Sequence, residues 1–266
     1  MKYQLGFVGA GNMAEAIALA AINSNIVDAA QIIASDPSDV RRDLFASHGI
    51  TTTDDNGQVL AEAANIVLAI KPQTLPQMSE QLAQLNVETQ VLISIMAGIR
   101  SSQIVDAAGK PVRVVRVMPN TPLLAGAGMA GIALGAHAKA GDDGLAMQLF
   151  GAAGKAVAVS EEQLDAITAV SGSGPAYLFY LAQAMQEAAE EMGLGEHADL
   201  LVSQTLFGAS KLLCESPDTP AELRRKVTSP GGTTAAAIEH MESNAVRQHI
   251  QDAIGKARDR SIELGS

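Results

Sequence analysis

The residues best suited to chemistry stand near the start, where Gly9-Ala10-Gly11-Asn12-Met13-Ala14 follows the apolar run Gln4 to Val8 and opens an Ala-rich stretch reaching Ala21. This is the G-x-G-x-x-A spacing in a context of strand, turn and helix. Gly9 permits the tight turn, Gly11 the close approach of backbone to a pyrophosphate, and Ala14 the close packing of helix on strand. The start of the helix adds an anion-binding field. The pattern predicts a dinucleotide site contacted by Gly9, Ala10, Gly11, Asn12 and Met13. A glycine-rich turn without a ligand is the alternative.

Three further segments carry polar groups at the ends of apolar runs. Ala34-Ser35-Asp36-Pro37-Ser38, with Arg41 and Arg42 beyond it, stands where the adenosine ribose of a dinucleotide is read. Asp36 suits the free ribose hydroxyls of NAD, whereas Ser35, Ser38 and the arginines suit the extra phosphate of NADP. The two readings balance, and the arginines can equally form a solvated helix face. Asn56 serves either as a helix cap or as a ribose contact. Ala69-Ile70-Lys71-Pro72-Gln73 and Ser94-Ile95-Met96-Ala97-Gly98 are strand-end loops. Such loops line the ligand crevice of a doubly wound sheet, which places Ala69, Ile70, Lys71, Pro72, Ala97 and Gly98 near a nicotinamide. A lysine in such a position is often only a surface residue, but Pro72 fixes the turn that carries Lys71.

A separate constellation lies in Ser229-Pro230-Gly231-Gly232-Thr233-Thr234. The Pro-Gly-Gly bend just before a helix lets successive backbone N–H groups form a nest suited to a carboxylate. The same residues also make an ordinary capped helix start. Ser171-Gly172-Ser173-Gly174-Pro175 joins two helices and either borders a site or lets helices cross closely. Asn120 is read first as a partner for local backbone.

Elements must hold these groups in place. Short apolar runs at Gln4 to Val8, Ile32 to Ala34, Ile66 to Ile70, Val91 to Ile95, Val112 to Val117 and Gly131 to Leu134 alternate with helical stretches. That alternation predicts an α/β fold, a Rossmann-type doubly wound parallel sheet over residues 1–160. From Glu161 the period becomes helical: Glu161 to Val170, Pro175 to Met192, Ala198 to Cys214, Thr233 to Met241 and Ala245 to Ile262. Residues 161–266 are therefore expected to form an all-α substrate and dimerisation domain. The helix from Pro175 carries apolar residues around its whole axis and must be buried on most sides, which a homodimer would achieve.

Composition narrows the function. With 18 Lys plus Arg against 29 Asp plus Glu the formal charge is -11, a poor match for nucleic acid or an anionic membrane. No stretch approaches the ~20 apolar residues of a membrane span. The single Cys214 excludes an internal disulfide, and the start lacks the zones of a signal peptide, so a cytoplasmic setting is expected. His48, His137, His197, His240 and His249 are scattered, and no metal site is expected.

Arg116-Val117-Met118-Pro119-Asn120-Thr121-Pro122, Ser171 to Tyr177, and Val227 to Thr234, together with Ala69 to Gln73 in this order, resemble the pyrroline-5-carboxylate reductase family along the whole chain. The resemblance implies reduction of the cyclic imine pyrroline-5-carboxylate to L-proline, the last step of proline biosynthesis. It implies NADPH as cofactor, with NADH the other candidate, and a homo-oligomer of interleaved helical domains that is a dimer or a dimer-based assembly. It makes Ser229, Gly231, Gly232, Thr233 and Thr234 the substrate loop, with the Thr234 hydroxyl meeting the ring nitrogen. None of the loops expected near the nicotinamide or the substrate centres on His, Asp or Glu, so catalysis is expected to work by positioning, with Lys71 a weaker candidate for general acid. The β-hydroxyacid dehydrogenases resemble the chain less, because no Lys lies between Lys155 and Lys211 to serve as their base. A nicotinamide-binding sensor without turnover is the non-enzymatic alternative.

Overall fold

An apolar run with no polar face needs cover on both sides, and β1 (Tyr3–Val8) has it, since only Gln4 in it reaches solvent. The structure is a computed structural model that describes residues 1 to 265. From β1 the chain passes through α1 (Asn12–Asn23), β2 (Ile32–Ser35), α2 (Asp39–Ser47), β3 (Thr51–Thr53), α3 (Asn56–Glu62) and β4 (Ala63–Leu68). It continues through α4 (Ser79–Leu82), β5 (Val91–Ser94), α5 (Ser101–Ala108), β6 (Arg113–Pro119), β7 (Gly128–Leu134), α6 (Gly144–Ala152) and β8 (Gly154–Ala158).

The strands form one sheet in the order β3-β2-β1-β4-β5-β6-β7-β8. Leu5, Phe7, Val67, Ile93 and Val115 pack on one face against Ile17, Phe45 and Phe150. Ile66, Leu68, Leu92 and Val114 pack on the other against Val59, Leu60, Leu82 and Ile104. Phe7 and Phe45 meet edge to face, with ring centroids 6.3 Å apart.

The parallel-dominated α/β fold expected from the sequence is observed, with one correction. β7 runs antiparallel to β6. Only a short helical turn, Thr121–Ala125, separates these strands, and a connection of that length cannot make a parallel crossover. Two edge strands were not expected from the sequence. β3 is three half-buried threonines and β8 is mostly exposed, so neither has the apolar run that marks a covered strand.

Beyond β8 the chain makes a 3-10 turn (Glu161–Gln163), α7 (Leu164–Ile167) and a π-helical turn (Thr168–Gly172). Then follow α8 (Gly174–Glu191), α9 (Gly195–Glu215), α10 (Pro220–Lys226), α11 (Thr233–Ser243) and α12 (Val246–Leu264). α10 was not expected, because it is short and polar. Its start is nonetheless written in Thr219-Pro220-Ala221-Glu222: Thr219 Oγ1 accepts from the Glu222 N–H, and Glu222 Oε2 accepts from the Thr219 N–H.

The compact units divide later than the change of sequence period at Ser160. One unit holds Met1 to Ser173 and the segment from Ala257; the other is Gly174 to Lys256. The physical reason lies in Leu164 and Ala169, both buried, and in Ile167, which lies so close to β7 that a Cβ on Gly131 would sit 2.9 Å from its Cγ2. Ser266, the last residue of the expected helical domain, lies outside the described residues.

Within the helical unit α8 packs on α9 yet buries none of its own residues. Phe179 and Tyr180 on α8 and Phe207 on α9 are exposed at 68%, 78% and 63%. An open apolar groove of about 550 Å³ runs between α8 and α12, lined by Tyr177, Leu181, Ala184, Val246, Ile250 and Ala253. Apolar area of this extent is covered by another molecule in a native assembly.

The sheet unit holds a buried charge cluster around Glu161. Arg116 on β6 donates to Glu161 Oε1 at 3.1 Å, and the same carboxylate accepts from the Ser101 N–H (2.7 Å) and hydroxyl (2.6 Å) at the start of α5. Burial pushes the Glu161 carboxyl up, but the Ser101 hydrogen bonds and the Arg116 charge outweigh it and hold the group below the ordinary carboxylate range. Its stabilising contribution is therefore fully present above about pH 4.3 and is lost as pH falls through the depressed value. Glu161→Gln is expected to cost about 2 to 4 kcal/mol in urea unfolding at pH 7. The deficit should shrink as both proteins are acidified, and equal stability at pH 7 would contradict this account.

Candidate active site

The strand order reverses its winding at β1, which lies between β2 and β4. At that point the ladder continues past the strands: Gly9 N donates to Ser35 O (2.9 Å), Ala69 N to Val8 O (2.9 Å) and Ile95 N to Leu68 O (3.3 Å). These bonds bring the loops after β1, β2, β4 and β5 to one edge of the sheet. Gly9 has φ +95°, and a Cβ there would lie 2.7 Å from Ala69 O. Ala14 is fully buried. A Cβ on Gly11, by contrast, would meet nothing within 4 Å, and Gly11 and Asn12 are exposed. No side chain caps α1, so its first N–H groups are open to an anion. The loop and helix therefore fit the pyrophosphate of a dinucleotide.

At the end of β2, Asp36 is tied into the glycine loop. Its Oδ2 accepts from the Ala10 N–H (2.9 Å) and its Oδ1 from the Ser38 N–H (2.9 Å). Arg41 donates to Ala10 O (2.5 Å) and pairs with Glu15 (2.9 Å), while Arg42 donates to Asp36 O (2.6 Å) and pairs with Asp39. The two arginines are thus tethered around Asp36 rather than forming a solvated face. Ser35 is fully buried and its hydroxyl donates to Asn56 Oδ1 at 2.7 Å. Asn56 is not the cap of α3; Asp55 is, accepting from the Gly57 N–H at 2.7 Å. Glu15 and Asp55 were not singled out in the sequence. Asp55-Asn56-Gly57 carried a capping signal, but the pairing of Glu15 with Arg41 carries none, since they lie on different helices.

The other loops on this edge hold the remaining expected contacts. Ala69 and Ile70 follow β4 half-buried, Lys71 is exposed at the cap of the 3-10 helix Pro72–Met78, and Pro72 starts that helix. After β5, Ala97 is exposed and Gly98 takes φ +76°. Asn120 bridges two backbone groups, donating to the sequence-distant Ser171 O (3.0 Å) and accepting from the Met129 N–H (2.8 Å). A Cβ on Gly172 would lie 2.5 Å from the Met118 side chain, so this glycine serves close packing.

In the helical unit, Gly232 N donates to Ser229 O (3.0 Å) and closes a turn in which Gly231 has φ +70°. A Cβ on Gly232 would sit 2.5 Å from Ser229 Oγ. The turn delivers the chain into α11, which has no side-chain cap. Thr233 is exposed and Thr234 half-buried in its first turn, where the N–H groups have no partner within the helix. Among the described residues no three His, Cys, Asp or Glu side chains are grouped to hold a metal ion, and no helix is long and apolar enough to cross a membrane.

A parallel-dominated sheet with this glycine loop and these strand-end loops defines the class of Rossmann-type nicotinamide-dependent oxidoreductases. Residues 4–98 match the family model described as NADP oxidoreductase, coenzyme F420-dependent, and residues 161–264 match pyrroline-5-carboxylate reductase dimerisation. The chain is 41% identical over 264 residues to the pyrroline-5-carboxylate reductase of Pseudomonas aeruginosa, covering 98% of this chain and 96% of that one. Among solved structures, a pyrroline-5-carboxylate reductase from Coxiella burnetii superposes with a TM-score of 0.92 at 38% identity, with 100% of both chains covered. The Plasmodium falciparum pyrroline carboxylate reductase with NADP bound gives 0.84 at 27% identity, also with 100% of both covered. The chain belongs to the pyrroline-5-carboxylate reductase family. It is an oxidoreductase that works with a nicotinamide cofactor and a small-molecule substrate as a homo-oligomer.

The open space over Gly11 yields a test. Gly11→Val should weaken dinucleotide binding at least tenfold, equivalent to about 1.4 kcal/mol, while the thermal midpoint moves by no more than about 2 °C. Undiminished affinity in a titration of the variant would place the dinucleotide elsewhere.

Proposed function

We propose that this member of the family reduces pyrroline-5-carboxylate to L-proline with NADPH, and that its residues act by positioning rather than through a strong acid. The reaction adds a hydride to the imine carbon and a proton to the nitrogen. When bound, the reduced nicotinamide supplies the hydride. Transfer demands a separation of about 3 to 3.5 Å between donor and acceptor carbons, so alignment is the main task of the protein.

In this reading Gly9, Ala10, Gly11, Asn12 and Met13 hold the pyrophosphate. Ser35, Asp36 and Asn56 frame the adenosine ribose, and Ala69, Ile70, Lys71, Pro72, Ala97 and Gly98 border the nicotinamide. Ser229, Gly231, Gly232, Thr233 and Thr234 receive the substrate. The observation that carries the assignment is the uncapped start of α11 behind the Ser229–Gly232 turn, where free backbone N–H groups and the helix field suit a carboxylate. The Thr234 hydroxyl hydrogen-bonds the ring nitrogen and fixes its orientation. The proton comes from solvent or from substrate already protonated; Lys71, exposed on its loop, is the second candidate.

The preference for NADPH draws support from the surroundings of Asp36. Both its oxygens already accept backbone N–H groups, and two arginines flank it with 23% and 20% of their side chains exposed. Their charge favours the phosphate that distinguishes NADPH. The homo-oligomer is read as a dimer or an assembly of dimers, because apolar α8 and α9 lack cover in one chain. The lone Cys214 suits a reducing, cytoplasmic setting.

Initial rates of NADPH and NADH oxidation with pyrroline-5-carboxylate test the reading, and a higher kcat/KM with NADH would refute the cofactor choice. Arg41→Ala should lower kcat/KM with NADPH about tenfold more than with NADH. Thr234→Ala should lower kcat/KM for the imine about 10- to 100-fold with little change in cofactor affinity. Unchanged turnover and substrate affinity would remove Thr234 from the mechanism.

A further inference from the structure

The loop after β5 is anchored at its start, where Ile95 N donates to Leu68 O (3.3 Å) and Met96 is buried in the core, and its tip lies further out at Ala97 and Gly98. Between Ser94 and Ser101 the chain is neither strand nor helix, and Ser94 Oγ accepts one long bond from the Met96 N–H at 3.4 Å. Its outer support comes from the far end of the sequence. A Cβ on Gly98 would lie 3.1 Å from Leu264 Cβ, and a Cβ on Gly265 would lie 2.9 Å from Gly98 O. Two glycines therefore let the loop backbone and the end of α12 touch directly.

Side chains lock this contact. Arg100 Nε donates to Gly265 O at 3.3 Å, and its Nη2 lies 3.6 Å from the Asp165 carboxylate. The hydroxyl of Ser261, a residue only 5% exposed, donates to Asp165 Oδ1 at 2.7 Å. Gly265 N in turn donates to Ser261 O, closing a ring of contacts from the loop through Arg100 and Asp165 to the last turn of α12. Ala97 stays exposed on the open side of the same loop.

We propose that this clasp is a positioning device for the nicotinamide end of the cofactor, with Arg100, Asp165 and Ser261 as positioning residues. The inference rests on the reading that Ala97 and Gly98 border the nicotinamide. A loop fixed before the ligand arrives loses less conformational entropy on binding, so the clasp raises affinity without touching the ligand.

The test compares NADPH with 2′-phospho-ADP-ribose, which lacks the nicotinamide, by titration calorimetry on the full chain. Ser261→Ala and Arg100→Gln should each weaken NADPH about three- to tenfold while changing the fragment by less than about twofold. Amide hydrogen exchange at Ala97 to Ile99 should quicken in the cofactor-free variants. NADPH affinity and exchange unchanged in both variants, or the fragment weakened as much as NADPH, would overturn the proposal. Ala97→Leu separates it from the reading beneath it. If that variant binds NADPH as before, the loop does not border the nicotinamide; if it weakens NADPH while the clasp variants do not, the clasp alone is refuted.

Discussion

The site depends first on where β1 stops. Because the winding reverses at this strand, its end has a parallel neighbour on each side, and the ladder bonds of Gly9 and Ala69 extend that pairing into the loops. The heights of the loops are then set by sheet register rather than by their own sequences. Gly9 follows from this: once Ala69 is hydrogen-bonded to Val8, its carbonyl occupies the space a side chain at position 9 would need. The glycine is required by the neighbouring strand as much as by its own turn.

An acidic chain can still bind an anionic cofactor because the relevant groups do not enter the charge count. The formal charge of -11 is spread over the molecule, and charges beyond about 8 Å are largely screened at physiological salt. The first N–H groups of α1, the proposed pyrophosphate cradle, would act within hydrogen-bond distance. Asp36 does not cancel them, since its carboxylate is engaged by Ala10 and Ser38 and flanked by Arg41 and Arg42. That same engagement orders the loop, because Arg41 bonds the Ala10 carbonyl while Asp36 bonds the Ala10 N–H. Ala10 is thus gripped at both its backbone polar atoms.

The parts legible in the sequence are those fixed by local pattern. Buried strands such as β1 and β4 leave mostly apolar runs, and the glycine loop has its own spacing. The direction of β7 was not legible, because an apolar run has no polarity of pairing; the short Thr121–Ala125 connection decides it. β3 and β8 were missed because edge strands need little burial. Arg116 with Glu161, and Arg100 with Asp165 and Ser261, join residues dozens of positions apart and leave no periodic trace. The residues were visible as charged or polar groups, but their partners follow only from the fold.

The helical unit shows the opposite limit, where the sequence signal was clear and one chain cannot satisfy it. Apolar residues all round α8 announce burial, yet the single chain leaves Phe179, Tyr180 and Leu181 exposed. At about 25 cal/mol per Å², uncovered aromatic and aliphatic area of this kind is a large part of what a small helical unit would need to stay folded. Its stability is therefore tied to association with further copies, and so to protomer concentration. The Ser229–Thr234 turn belongs to that unit, held by the Gly232 to Ser229 bond and by α11 behind it. With the substrate in that turn, as proposed, assembly would be a condition of the chemistry as well as of the fold.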